Sequence, residues 1–292
     1  FVGGALVAAL ARAGWRVKAA ARRPQAAYDL MPLGTPGQIA AAPFAPGDAP
    51  SIARAVEGAN AVFNAVGVLA ERRRGDFVRL HTDLPAAIGR AARLAGVRRV
   101  VHLSALGIES APSRYAESKL WGDAALRAAF AGAAVLRPSV LFGPEDGFFC
   151  RFARLSRVLP ALPLIGGGRT RFQPVYVGDV AAAALAAVER PGQNFALGGP
   201  EVITFREALE AVARLTGRRR ALVPVPWWLA TAQGAVLQYL PGPLLTADQV
   251  AQLRADSVVP PGAPGLEALG VRATALGAIL PRVLDPHAQE SF

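Results

Sequence analysis

Apolar positions along the first half of the chain alternate between two spacings. Residues 2–13 carry them at helical intervals and stop at Gly14, a natural residue for the left-handed turn that closes a helix. Residues 15–20 then read as a short strand running into Arg22-Arg23-Pro24. Residues 51–57 predict a helix with Ser51 as N-cap and Gly58 as its stop. A buried strand follows over 61–66, a helix over 76–94, a strand over 99–103, a helix over 115–130 and a strand over 133–137. Strands and helices of these lengths in alternation predict βαβ units, hence an α/β fold with a parallel sheet covered on both faces.

The pattern changes after Leu141. Gly143-Pro144, Pro160, Pro163 and Gly166-Gly167-Gly168 break the chain into loops, the triple glycine reading as a flexible turn. Residues 174–177 return as a strand leading into an alanine-rich helix for which Asp179 is the expected N-cap. The organisation expected is a sheet domain over 1–145, rejoined by 172–190, and a smaller, mostly helical lobe over 146–171 and 191–292. Open α/β sheets bind ligands at the carboxyl ends of their strands, so the lobe would supply the second wall of a cleft.

Composition narrows the function. Of 292 residues 52% are hydrophobic and 18% charged, which excludes a disordered or fibrous chain. The net charge of +11 comes from arginine spread along the whole length, with only Lys18 and Lys119 as lysines. A nucleic-acid binder gathers such charge into a patch, so no nucleic acid is expected; an acidic protein or an anionic lipid surface suits better. The lone Cys150 reads as packing, and three scattered histidines give no metal site. His81 reads as a helix-surface residue and His102 as strand packing. No apolar run is long enough to span a bilayer and no signal peptide is read, which suits a reducing, cytoplasmic setting.

The chemistry centres on Tyr115-Ala116-Glu117-Ser118-Lys119, opening a helix shortly after a strand that ends in Leu103-Ser104. Residues i and i+4 share a helix face, and an ammonium there can lower the phenol's pKa and grip a ribose hydroxyl. With this pair the chain resembles the short-chain dehydrogenases/reductases of the extended or atypical kind, the NAD-dependent epimerase/dehydratase superfamily. The resemblance implies a Rossmann-type doubly wound sheet. It equates Gly3 with the last glycine of the phosphate loop, Asn64-Ala65-Val66-Gly67 with the loop beside the adenine ribose, and Arg137-Pro138-Ser139-Val140 with the segment facing the nicotinamide. It also implies that the first strand and two loop glycines are missing, so that the chain reads as a fragment of a longer protein. The family's further hydroxyl residues after Ser104 are replaced by Ala105 and Leu106, leaving Ser104 to act from a shifted register or the donor absent.

The segments 136–146, 148–153, 171–180 and 240–250 are similar to one branch, the nucleotide-binding accessory subunit of respiratory complex I (NADH:ubiquinone oxidoreductase) and its bacterial relatives. That likeness implies NADPH as a structural or regulatory ligand, membrane-bound respiratory subunits as partners, and a peripheral place on the cytoplasmic face of the inner membrane. Independently, Arg22 and Arg23 stand where a carboxylate would select NAD, so NADP(H) is preferred and NAD(H) is the second cofactor. The alternative is an active NADP-dependent oxidoreductase or epimerase on a small carbonyl or sugar-nucleotide substrate, with Tyr115 as acid/base and Lys119 as ribose anchor. Residues 226–245, apolar and with aromatic residues near both ends, predict a helix too short to cross a membrane but suited to docking on a membrane-bound complex.

Overall fold

A computed structural model of the chain describes residues 1–218, 220–239 and 245–284. Its strands are β1 (Val17–Ala21), β2 (Ile39–Pro43), β3 (Ala61–Asn64), β4 (Arg99–Leu103), β5 (Ala134–Pro138), β6 (Leu141–Phe142), β7 (Ala161–Ile165), β8 (Arg171–Phe172), β9 (Val175–Tyr176), β10 (Asn194–Leu197), β11 (Ile203–Thr204) and β12 (Ala221–Val225). Its α-helices are α1 (Val2–Arg12), α2 (Pro24–Tyr28), α3 (Ala49–Val56), α4 (Leu84–Leu94), α5 (Arg114–Ala129), α6 (Phe149–Val158), α7 (Val177–Ala186), α8 (Phe205–Leu215), α9 (Trp227–Leu237), α10 (Ala247–Gln252) and α11 (Leu276–Leu284).

The main sheet has the order β10-β5-β4-β3 and is parallel throughout. Alternation along β4 explains why it is covered on both faces. Val101 and Leu103 pack with Leu6 and Leu10 of α1 and Val180 and Ala184 of α7. Val100 points the other way, among Val56, Ala92 and Leu126 from α3, α4 and α5. This is the doubly wound α/β arrangement. β1 and β2 form a separate parallel pair. Between β1 and β3 no ladder forms, and Trp15 meets Phe63 edge-on across the divide, ring centres 6.3 Å apart.

Several boundaries differ from the pattern reading, each for a local reason. Ser51 lies inside α3, whose N-cap is Asp48; the Asp48 carboxylate accepts from the Ser51 amide at 3.0 Å. The helix expected over 76–94 divides into a π-helical segment, Val78–Asp83, and α4. Pro85 has no N–H to donate to the His81 carbonyl, so the ladder widens there. Asp179 is not an N-cap: Tyr176 takes that place, and the Asp179 carboxylate accepts from the amide and hydroxyl of Thr274 at 2.7 and 2.9 Å. The loops expected after Leu141 contain α6 and the parallel pair β7–β12. The triple glycine is a tight 3-10 turn, its three residues left-handed, with the Trp227 ring seated on Gly166.

Beyond β6 a second set of cores forms. α6, α8 and α11 enclose Phe142, Phe149 and Val212, while Phe172, Phe205 and Leu209 pack with β7, β12, α9 and α10. The main sheet nevertheless takes its edge strand β10 from this part of the chain. Residues 240–244, part of both the docking segment and the branch resemblance, lie outside the described residues, as do 285–292.

Candidate dinucleotide site

Each residue expected to touch the cofactor sits at or beyond the carboxyl end of a strand or on α1 or α5. Gly67 follows β3, Ser104 follows β4, and Pro138 and Val140 end and follow β5, so these four share one edge of the main sheet. Arg22 and Arg23 follow β1, exposed, with no hydrogen bond or ion pair among the described residues. Gly3 lies in the first turn of α1, a turn without an acidic side chain, and a Cβ at Gly3 would meet nothing within 4 Å. Phe1 lies against Gly143, which brings the start of α1 to the same edge as the β5–β6 segment. A glycine-lined first helical turn suits a pyrophosphate, because first-turn amides and the helix dipole favour an anion. These groups fit a dinucleotide.

Tyr115 and Lys119 lie on one face of α5, capped by Ser113, whose hydroxyl accepts from the Ala116 amide. Both are buried, at 6% and 4% exposure. The Lys119 ammonium donates to the Leu103 carbonyl at 3.1 Å and lies beside Gly67, where a Cβ would come within 3.5 Å of it. Burial pushes its pKa down to about 8, against a raising influence from Asp123. The phenol of Tyr115 behaves contrary to expectation: its pKa is raised, first by burial and then by the carboxylates of Asp123 and Asp248. In this packing Lys119 does not lower it.

The reason is what covers the ring. The Phe77 ring meets Tyr115 edge-on at 5.9 Å and His81 does so at 5.2 Å, with Ile108 and Ala116 completing the cluster. The loop leading into the helical turn of Phe77 is fixed from within. Glu71 accepts from the amides of Gly75 and Phe77 and pairs with Arg114 at 3.0 Å, while Asp76 accepts from the amides of Arg72 and Arg73. From the other side, Asp248 of α10 accepts from the Arg114 and Tyr115 amides at 2.7 and 3.2 Å, docking that helix on the start of α5.

One of the two histidines is not where the pattern put it. His81 is fully buried. Its Nε2 accepts from the Val68 amide at 3.1 Å, so Nδ1 carries the proton and donates to the Ser118 hydroxyl at 3.0 Å. Burial, with Lys119 nearby, lowers its pKa to about 3, and the ring stays neutral. His102 is strand packing as expected, and also part of a polar cluster: its Nδ1 accepts from the Asn64 amide group at 3.0 Å. Cys150 is buried with its thiol pushed up to about 11 by burial and the neighbouring Asp146, consistent with packing. Among the described residues no group of three or more potential ligands gathers around a metal.

Ser104 is buried, and its hydroxyl makes no hydrogen bond of good geometry. Beside it stands a residue that motif reading passed over. Asp123, one turn beyond Lys119, is 5% exposed and receives both Nε and Nη2 of Arg137 on one oxygen, at 3.1 and 2.9 Å. Arg137 also bonds Glu109. The spacing 115–119–123 was the available signal, since it repeats every four residues along a helix face.

The NAD(P)H-binding family matches residues 1–142. The mitochondrial alpha subcomplex subunit 9 of NADH dehydrogenase [ubiquinone] 1 from Mus musculus is 34% identical over 269 residues, spanning 89% of this chain and 71% of that protein. The ceramide reductase of Caulobacter vibrioides is 29% identical over 233 residues, 77% of this chain and 71% of the relative. The Thermus thermophilus UDP-glucose 4-epimerase, solved with NAD, superimposes with a TM-score of 0.74 over 100% of this chain and 97% of its own, at 20% identity. That last likeness is one of fold.

Proposed function

The chain belongs to the NAD(P)-binding short-chain dehydrogenases/reductases, in the branch of the alpha subcomplex subunit 9 proteins, and from this premise we propose that it binds NADP(H) as an accessory or assembly subunit of respiratory complex I. The nucleotide is then held mainly as a structural or regulatory ligand. The observation that carries the reading is the contrast between the two sides of the site. The side suited to a dinucleotide, Gly3, Arg22, Arg23 and Gly67, is open or unpaired, whereas Tyr115 is sealed under Phe77 and His81 and raised in pKa.

In this reading the first turn of α1 takes the pyrophosphate, Arg22 and Arg23 take the ribose 2′-phosphate, and Lys119 donates to a ribose hydroxyl. Pro138, Val140 and Ser104 border the nicotinamide. The described parts of 146–171 and 198–284 form the opposite wall. The partners are membrane-bound subunits of the complex, and the protein sits peripherally on the cytoplasmic face of the inner membrane. No helix among the described residues is long and apolar enough to cross it.

Calorimetric titration with NADPH and NADH tests the cofactor, and recovery from membranes tests the partner. A charged hydrogen bond contributes about 1.5–3 kcal/mol, so Arg22→Ala with Arg23→Ala should weaken NADPH at least about tenfold and leave NADH nearly unchanged. Equal affinities for the two nucleotides would sink the NADP(H) assignment. Membrane preparations in which the protein never co-purifies with complex I subunits would sink the accessory role.

A second reading stays in view because Tyr115 and Lys119 keep their spacing and one relative is named a ceramide reductase. It is an NADP-dependent reductase or epimerase in which the phenol exchanges a proton with a carbonyl oxygen and the bound nucleotide supplies hydride. It requires Phe77 to move away from Tyr115.

A further inference from the structure

The buried face of α5 carries one group that neither reading uses. Asp123 Oδ2 is taken by Arg137, but Oδ1 has no hydrogen-bond partner of good geometry, and neither do His102 Nε2, 3.6 Å away, and the Ser104 hydroxyl. Because His102 Nδ1 accepts from Asn64, its Nε2 carries the hydrogen and faces Asp123. Burial raises the Asp123 pKa, while Arg137 first, then Ser104 and Lys119, favour its charged form.

We propose that Asp123 is a positioning residue: its carboxylate, held by Arg137, is the counter-charge that keeps the buried Lys119 ammonium protonated and seated between the Leu103 carbonyl and Gly67. The inference rests on the reading in which Lys119 donates to the dinucleotide ribose. Asp123 lies one turn from Lys119 on the same face, and its charge acts on the ammonium. The other titratable or charged groups around the ammonium are Tyr115 on α5, His81 from the π-helical segment, His102 from β4, and Arg137 from β5 with Glu109 beyond it. Both histidines are held neutral by burial and by Lys119 itself, so they supply no balancing charge. Glu109 is half-exposed and bound to Arg137. Asp123 therefore provides the buried negative charge that acts on the ammonium.

The chain's lysine content makes the test direct. With Lys18 and Lys119 as its lysines, 13C-lysine-labelled protein gives two side-chain signals, and Lys18, exposed on β1, is the internal reference. In the ligand-free protein the Lys119 signal should titrate near pH 8. Asp123→Asn should lower that midpoint by about one pH unit or more, the usual effect of losing an opposite charge. Arg137→Gln frees Asp123 for the ammonium and should move it the opposite way, and Asp123→Glu should restore it. Opposite shifts are not the signature of a residue that merely packs. NADPH affinity should follow, falling in Asp123→Asn between pH 6.5 and 8 while the parent protein holds its affinity until about pH 8. A Lys119 midpoint unmoved in both Asp123→Asn and Arg137→Gln overturns the proposal; if Asp123→Asn does not fold, an unmoved midpoint in Arg137→Gln does so alone. Shifted midpoints with NADPH affinity indifferent to Lys119→Ala leave the positioning intact and overturn the ribose contact beneath it.

Discussion

At the scale of single residues, position in the fold decides which of two roles a motif residue plays. Tyr115 and Lys119 are both buried on one helix face, yet their surroundings push them apart. Lys119 reaches the strand-end edge through Leu103 and Gly67, while Tyr115 is walled by aromatic rings and two carboxylates. A phenol with a raised pKa is a poor proton donor near neutral pH. Tyr115→Phe should therefore leave NADPH binding and membrane recovery within about twofold of the parent, since it removes only a hydroxyl that the dinucleotide reading does not use. NADPH oxidation with carbonyl compounds measures the competing reading. Turnover that disappears in Tyr115→Phe would transfer the assignment to an active reductase.

At the scale of elements, one backbone irregularity fixes how α5 docks. Pro85 frees the His81 carbonyl, and that oxygen points at α5 where Gly122 stands; a Cβ there would sit 1.7 Å from it. Glycine is required by close approach and not by its backbone angles. Gly122→Ala must push α5 away from the π-helical segment, and with it Ser118 from His81. Overpacking against rigid backbone costs about 1–3 kcal/mol or more, and the loss should be read by urea denaturation. Gly277→Ala in α11, where a Cβ meets nothing within 4 Å, should be neutral or up to about 1 kcal/mol stabilising. Equal effects of the two substitutions would refute the tight crossing.

At the scale of the whole molecule, the part beyond β6 both closes the site and presents a surface. α10 reaches the site through Asp248 and, with Gln249 donating to the Leu69 carbonyl, holds the loop over Tyr115. α9 packs on α10 at Gly234 and turns Trp228, Val236 and Tyr239 outward, at 71%, 70% and 84% exposure. Trp227 is different: half-buried on Gly166, under the Arg254 guanidinium at 5.3 Å, it belongs to the core. An exposed apolar stripe with aromatic residues near both ends suits an interface with a membrane-bound partner. Replacing Trp228, Val236 and Tyr239 with serine should keep the folded yield and reduce membrane recovery severalfold. Full recovery of a folded triple variant would exclude docking through α9, whereas Trp227→Ser alone should lower stability.

Alternating periods in the sequence established the α/β class, the parallel sheet and the face of α5 that carries Tyr115 and Lys119, because those depend on local spacing and on one-residue preferences. The pairing of Arg22 and Arg23 with the end of a strand was legible for the same reason. What the tertiary structure alone decided lies in contacts between distant segments. The Asp123–Arg137 pair joins a helix to a strand, the Phe77 ring covers a residue 38 positions later, and Asp248 caps a helix 133 residues before it. His81 passed for a surface residue because its spacing shows which side of its own helix it occupies but not that α5 packs against that side. Burial, and with it every pKa in the site, is a property of what lies across the gap, and a one-dimensional pattern carries no record of that.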